Sequence, residues 1–149
     1  MRIVLALHLL AAVLWVGGMA FAVLFLRPGL AGLAPPQRLG VMAGVLARFL
    51  PAVGAAVVVL VGSGVVLMRP YGGLAGAPAG VHAMIGLGVL MIAIYLYLAL
   101  RLHAQLRARM ATSDWPAAAA LAERMRRWIV ANLVLGVLVI VAAAAARYA

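Results

Sequence analysis

Three histidines, His8, His82 and His103, are the side chains of this sequence best suited to binding a metal ion. A neutral imidazole binds copper, and two imidazoles on facing helices can equally hold the axial positions of a b-type haem. Met68 and Met84 lie near His82 in the chain, and a thioether sulfur is a soft ligand that suits Cu(I). These residue types predict a copper site or a haem site if the fold brings them together.

Other chemistries lack the residues that they need. The absence of cysteine excludes disulfides, thiolate metal sites and cysteine nucleophiles. The two carboxylates, Asp114 and Glu123, lie outside the long apolar runs, which excludes a carboxylate proton relay and a hydrolase with paired carboxylates. Ser63, between two glycines, is interpreted as a small packing residue. We therefore exclude hydrolysis and expect oxidoreductase chemistry only if haem is bound.

Four apolar runs must position these side chains. Hydrophobic residues make up 69% of the 149 residues and charged residues only 9%, whereas a soluble domain keeps roughly a quarter of its residues charged. The runs cover about residues 3–26, 50–68, 81–100 and 128–146, and about 20 apolar residues suffice to cross a bilayer. The sequence predicts an all-α fold, an integral membrane four-helix bundle that forms a single domain over residues 1–149.

Two connecting segments also carry helix signals. Residues 37–49 are helical in pattern, so the second helix is expected to extend beyond the bilayer. The tetrapeptide 113–116, Ser-Asp-Trp-Pro, places an acidic cap before a proline in the first turn, which is typical of a helix start. We therefore expect the fourth helix to begin well before its apolar run.

The twelve basic residues are all arginine and are unevenly distributed. Three belong to the termini and the second connection, and nine to the first and third connections. Because positively charged loops stay in the cytoplasm, we expect both termini on the outer, periplasmic side. Arginines at the ends of apolar runs meet lipid headgroups, so the expected partner is the lipid bilayer and not nucleic acid, despite a net charge of +10. The three are Arg2, Arg69 and Arg147, and the nine are Arg27, Arg38, Arg48, Arg101, Arg107, Arg109, Arg124, Arg126 and Arg127.

This topology separates the histidines by depth. His8 lies five residues into the first run, about 8 Å deep, and His82 lies at the start of the third run, which enters from the same side. His103 lies about 30 Å further along that helix and is expected at the cytoplasmic interface. We therefore predict that His8 and His82 share a metal or haem site, with hydrogen bonds between helices as the alternative.

Two further residues are candidates for the surroundings of this site. Trp15 shares a helical face with His8 and either walls the site or packs against the third helix. Gly86 lies one turn beyond His82 and leaves space for a flat macrocycle or for a close helix crossing. Arg27 and Arg48 are interpreted as headgroup contacts.

Several short stretches of the sequence match the pattern of a known family. They are Leu7–Leu10, Trp15–Met19 and Leu26–Pro28 in the first run, Val81–Met84 with Tyr95, Tyr97 and Arg101 in the third, and Trp115–Pro116 and Arg126–Arg127 before the fourth. They resemble short members of the copper-resistance protein D (CopD) family. The resemblance implies a bacterial inner-membrane protein linked to copper uptake or tolerance, with His8 and His82 as ligands. Longer members carry more helices, which implies a homodimer or a periplasmic copper or redox partner.

The short members are also similar to the HemJ-type protoporphyrinogen oxidases, which carry b haem on a first-helix histidine. That type has a lysine two residues after its second histidine, where this sequence has Met84. Three hypotheses stay open at this point. They are a copper-handling membrane protein, a b-haem protein with His8 and His82 as axial ligands in electron transfer or in protoporphyrinogen or quinol oxidation, and a metal-free membrane subunit.

Overall fold

The computed structural model describes residues 1–146, so Arg147, which entered the count of arginines, lies outside the described residues. The chain forms long helices joined by short connections. In chain order the helices are α1 (Arg2–Phe21), α2 (Pro35–Leu67), α3 (Ala79–Tyr97), α4 (His103–Ala111) and α5 (Trp115–Ala146).

Two of these helices continue through a wider turn. A π-helical segment, Ala22–Leu26, and a short helix, Arg27–Gly29, extend α1. A second π-helical segment, Leu98–Leu102, joins α3 to α4 in one rod. The result is four continuous helical segments long and apolar enough to cross a membrane, over Arg2–Gly29, Pro35–Tyr71, Ala79–Ala111 and Trp115–Ala144. Residues 1–146 contain no strand, so the prediction of an all-α chain with four such helices is confirmed.

The predicted helix starts are confirmed as well. α2 begins at Pro35, in the first turn where the missing N–H costs nothing. α5 begins at Trp115, and the Ala117 backbone N–H donates to Asp114 Oδ1 across 3.2 Å. The connection between α2 and α3 turns at Gly72 and Gly73, whose φ angles of 72° and 94° lie in the left-handed region that favours glycine.

The four segments pack as two pairs, and α5 connects one pair to the other. The first pair is α1 with α2, the second is α3 with α5, and α5 also contacts α1 and α2. In the middle of the bundle, the Trp15 ring meets the Tyr95 ring edge-on with centroids 6.2 Å apart. A Cβ added at Gly18 would collide with the Phe49 ring, so this glycine permits the close approach of α1 to α2.

The outer surface of the bundle is apolar. Ile3, Val58 and Val89 are each more than 60% exposed, and they belong to three different helices. An apolar surface this extensive marks a contact with lipid or protein, because it is far larger than a soluble monomer exposes. The exterior therefore agrees with a bundle surrounded by lipid.

The two ends of the bundle differ in packing. The start of α1, the end of α2 and the start of α3 form the histidine end, named for His8 and His82. Residues 79–90 of α3 contain no buried side chain, so α3 is only loosely covered there. The opposite end, named the arginine end for Arg27, Arg38 and Arg126, holds the larger apolar core. That core consists of Leu39, Leu46, Leu50, Ile94, Leu98, Leu102, Leu106, Ala118 and Met125.

Candidate functional site

His8 lies on α1 and faces α2. Its side chain is half-buried, and its Nδ1 lies 2.8 Å from Ser63 Oγ. Gly64 adjoins the ring, since a Cβ added there would lie 3.8 Å from His8 Cε1. Ser63 is itself buried and was interpreted from the sequence as a small packing residue. The structure corrects that interpretation, because the hydroxyl of Ser63 is the hydrogen-bonding partner of His8.

The hydrogen bonds of Ser63 determine which His8 nitrogen carries the proton. Ser63 Oγ lies 2.5 Å from the Val59 carbonyl and 3.2 Å from the Leu60 carbonyl. A hydroxyl has one proton, and these carbonyls can only accept it. When the hydroxyl donates this proton to either carbonyl, Ser63 Oγ accepts from His8 Nδ1–H. In the neutral imidazole this assignment leaves the lone pair on Nε2, which is the form that binds a metal.

His82 has the same arrangement on a different helix. It lies in the first turn of α3, is exposed, and has its Nδ1 3.2 Å from the Pro78 carbonyl. Because a carbonyl oxygen only accepts, Nδ1 donates and Nε2 carries the lone pair in the neutral ring. Both histidines thus commit Nδ1–H to an acceptor of the protein and keep Nε2 for another ligand.

The connection between α2 and α3 places the two histidines at the same end. Ser63, the partner of His8, lies four residues before α2 ends, and His82 lies three residues after α3 begins. Each is about one helical turn from the connection. The two imidazoles nevertheless share no hydrogen-bonding partner within residues 1–146. That stretch also contains no group of three or more His, Cys, Asp or Glu side chains able to hold a metal. Their coordination of one ion stays a prediction.

The remaining predicted site residues lie in different surroundings. Met68 caps α2 at the histidine end, and Met84 lies two residues beyond His82, both half-buried. Trp15 is 4% exposed, and it packs against Tyr95, the second of the roles foreseen for it. Gly86 is exposed, and a Cβ added there would meet nothing within 4 Å, so it does not mark a close helix crossing.

The glycines of α1 and α3 differ in the space that they leave. The space at Gly18, beside Trp15 on α1, is taken by the Phe49 ring. Gly86 faces open space, and His82 is exposed. A Cβ added at Gly17 would likewise meet nothing within 4 Å. Coordination of a haem by His8 and His82 therefore stays a prediction.

The comparison with family models decides the relationship. The model for copper resistance protein D matches residues 43–146, more than two thirds of the chain. The chain belongs to the copper resistance protein D family. The matched segment contains most of α2 and all of α3, α4 and α5, and so includes Ser63, Met68, His82 and Met84. His8 precedes it, so the resemblance noted in α1 lies outside the match. No curated protein and no solved structure matches the sequence.

At the arginine end, charged side chains of the α1 segment and of α5 form ion pairs. Arg27 Nη2 lies 2.6 Å from Glu123 Oε2, and Arg126 Nε lies 2.9 Å from Glu123 Oε1. Glu123 precedes the apolar run of α5. The hydrogen bonds from Arg126 and then Arg27 lower the pKa of its carboxyl to about 2. Arg27, interpreted as a headgroup contact, is therefore an ion-pair partner that holds the end of the first segment to α5.

His103 lies at this same end, at the start of α4, with its Nε2 buried and without a hydrogen bond among residues 1–146. It is separated from His82 by 21 residues of one continuous rod, about 30 Å. The expectation that His103 cannot join His82 in a site agrees with this rod.

Two polar side chains of the interior were not foreseen. Asn132, on α5, is 1% exposed, and its Oδ1 has no partner among residues 1–146. Tyr95 donates to the Leu50 carbonyl at 3.0 Å, beside Gly54, where a Cβ would lie 2.7 Å from the hydroxyl. The sequence does distinguish Asn132, because it is the one asparagine of the chain and lies inside an apolar run.

Proposed function

We propose that this protein handles copper in the bacterial inner membrane, taking Cu(I) as cargo at the histidine end of the bundle. The observation that carries the proposal is the shared arrangement of His8 and His82. In both imidazoles Nδ1–H donates to an acceptor of the protein, so that Nε2 offers its lone pair. Membership of the copper resistance protein D family supports copper as the ion.

The ligand types at this end suit Cu(I). Imidazole nitrogen and thioether sulfur are ligands that Cu(I) accepts, and Met68 and Met84 lie close to His82 in the chain. Ser63 fixes the orientation of the His8 ring, as outer partners of metal-binding histidines commonly do. We propose that the exposed His82 meets the ion first and that the half-buried His8 holds it deeper in the bundle.

The distribution of arginine supports an orientation for this site. Nine arginines lie between the first and second or between the third and fourth apolar runs, against two, Arg2 and Arg69, on the other side within the described residues. With positive loops in the cytoplasm, the histidine end faces the periplasm. Copper would then come from a periplasmic donor or through a homodimer of this chain.

The proposal is tested by Cu(I) binding to the protein in lipid nanodiscs under reducing conditions. A colorimetric Cu(I) chelator serves as the competitor. We expect one Cu(I) per chain for the wild type and loss of stoichiometric binding for His8→Ala and for His82→Ala. His103→Ala is the matched control, since His103 lies at the other end, and it should bind as the wild type does.

Three outcomes would contradict the proposal. If His8→Ala still bound one Cu(I) per chain, His8 would not be a ligand of the ion. If His103→Ala lost its copper, the ion would bind elsewhere in the bundle. The third contradicting outcome would be seen in absorption spectra of the oxidised and the dithionite-reduced protein. A Soret band with sharp α and β bands on reduction would replace copper with haem.

A further inference from the structure

The arginine end contains a cavity that copper handling does not use. The cavity has a volume of about 90 Å³ and lies between the end of the α1 segment, the start of α2 and the first half of α5. Its inner wall is apolar, with Leu39, Met42 and Ile129. A cavity of this size holds a few water-sized groups. It therefore suits a small headgroup, while long chains must stay outside on the bundle surface.

The rim of this cavity carries an excess of positive charge. Arg27, Arg38 and Arg126 contribute three positive charges, and Glu123 contributes one negative charge. Arg27 and Arg126 share that carboxylate, with side chains only 38–40% exposed. Two positive charges are left over, and half-buried charges are screened less than free surface charges.

Of the three arginines at the cavity rim, Arg38 is the one that forms no ion pair within residues 1–146. It is half-buried at the start of α2 and lines the cavity. Within residues 1–146 it pairs with neither carboxylate, since Glu123 pairs with Arg27 and Arg126 and Asp114 pairs with Arg109. Its guanidinium therefore offers its donors to a ligand.

The backbone beside the cavity is irregular. The π-helical segment Ala22–Leu26 interrupts the α1 rod, and its residues Ala22 and Val23 line the cavity. Single π-helical turns inside α-helices occur frequently at functional sites. The cavity wall, the excess charge and the wider turn thus coincide at one place.

We propose that this cavity binds the phosphate of an anionic phospholipid. Arg38 is the principal donor and Arg27 and Arg126 contribute positive charge, because a guanidinium recognises phosphate with paired N–H donors. The acyl chains lie along the apolar outer surface, where Leu24 and Phe25 of the π-helical segment are 59% and 65% exposed. A free phosphate ion would gain nothing from this apolar surface, which is why a lipid is the proposed occupant.

The test measures lipid retention by native mass spectrometry. The intact protein is released from mixed micelles that contain equal amounts of phosphatidylglycerol and phosphatidylcholine. We expect the wild type to keep one phosphatidylglycerol. Arg38→Gln should lower its apparent affinity by about tenfold, equivalent to about 1.4 kcal/mol. Arg127→Gln is the matched control, because Arg127 is exposed and does not line the cavity, and it should retain lipid as the wild type does.

A second variant tests the cavity itself with every charge kept. Ala122 lines the cavity, and Ala122→Leu places a larger side chain in it with only a small loss of helix propensity. We expect this variant also to lose the lipid. Wild-type apparent affinity for the lipid in Ala122→Leu or in Arg38→Gln would overturn the proposal.

The remaining outcomes distinguish a bound anionic phospholipid from a bound free phosphate ion. Equal retention of phosphatidylcholine would show that the negative charge of the headgroup is not recognised. Displacement of phosphatidylglycerol by millimolar inorganic phosphate would show that the site takes a free anion. Either result would overturn the proposal, whereas selective retention that survives inorganic phosphate supports it.

Discussion

The histidine end and the arginine end of this bundle hold their polar side chains in different ways. At the histidine end, the one hydrogen bond of the His82 side chain within residues 1–146 goes to a carbonyl one turn before it, and the first twelve residues of α3 bury no side chain. At the arginine end, Glu123 joins two helical segments that are 96 residues apart in sequence. The apolar core beneath it contains Leu106, which is fully buried.

This difference indicates where the bundle can exchange a ligand and where it maintains its shape. A segment with few buried contacts opens at low free-energy cost, and binding sites are drawn from such segments. The tightly packed arginine end supplies the stability that a loosely packed site cannot supply itself. Copper exchange at the histidine end is therefore compatible with a stable bundle.

The largest expected effect tests the packing difference directly. Leu106→Ala should lower the free energy of unfolding by about 2–5 kcal/mol, because it removes a fully buried side chain and leaves a cavity. Leu90→Ala, at the loosely packed half of α3, should cost well under about 1 kcal/mol, since Leu90 is 48% exposed. Reversible denaturation in mixed micelles measures both variants, and equal losses would contradict the difference between the ends.

A smaller effect tests how the histidine end orients its ligand. Ser63→Ala removes the acceptor of His8 Nδ1–H and keeps the imidazole, so Cu(I) affinity should fall by roughly tenfold or more. Gly62→Ala is the matched control, because Gly62 is exposed and a Cβ there meets nothing within 4 Å. The competition titration used for His8→Ala measures both. An unchanged affinity in Ser63→Ala would show that the hydroxyl does not prepare His8 for the ion.

The smallest expected effect concerns pH and the arginine end. Since the Glu123 pKa is lowered from its ordinary 4.5 to about 2, the ion pairs stabilise the fold fully above about pH 4.5. That contribution is lost as the pH falls towards 2. It is modest, because the side chains of Glu123, Arg27 and Arg126 are 38–40% exposed.

Thermal unfolding between pH 3 and pH 7 measures this contribution. The wild type should lose stability below about pH 4.5, where the Glu123 carboxyl takes up a proton in the unfolded chain but stays ionised in the folded protein. Glu123→Gln should be slightly less stable than the wild type at pH 7, and this deficit should shrink as the pH falls, because a glutamine does not titrate. Identical pH profiles for the two proteins would contradict the assigned role of Glu123.

Much of the fold could be predicted from local signals. Apolar runs of sufficient length have few structures open to them besides helices, because every backbone N–H and C=O must be satisfied within the segment. The start of α5 followed from Asp114 and the proline after it, and the extension of α2 followed from its helical pattern. The placement of His8 and His82 at one end followed from the alternating direction of the helices.

The partners of the candidate site residues could not be predicted in the same way. A helix presents several faces, and sequence periodicity does not say which neighbour each face meets. His8 was expected to share a site with His82, and the hydrogen-bonding partner Ser63 of α2, 55 residues away in sequence, was not foreseen. Arg27 was assigned to lipid, but it pairs with Glu123. Gly86 was expected at a space between helices, but it faces outward.

The sequence by itself determined four long apolar helices, their alternating direction and the separation of His103 from the other two histidines. These features depend on segment length and charge, which are local properties of the chain. Only the tertiary structure decided that α1 packs on α2, that Ser63 is the hydrogen-bonding partner of His8, and that within residues 1–146 Arg38 pairs with neither side-chain carboxylate. Those features depend on which helix faces meet, and that choice is made by side-chain packing between segments distant in sequence.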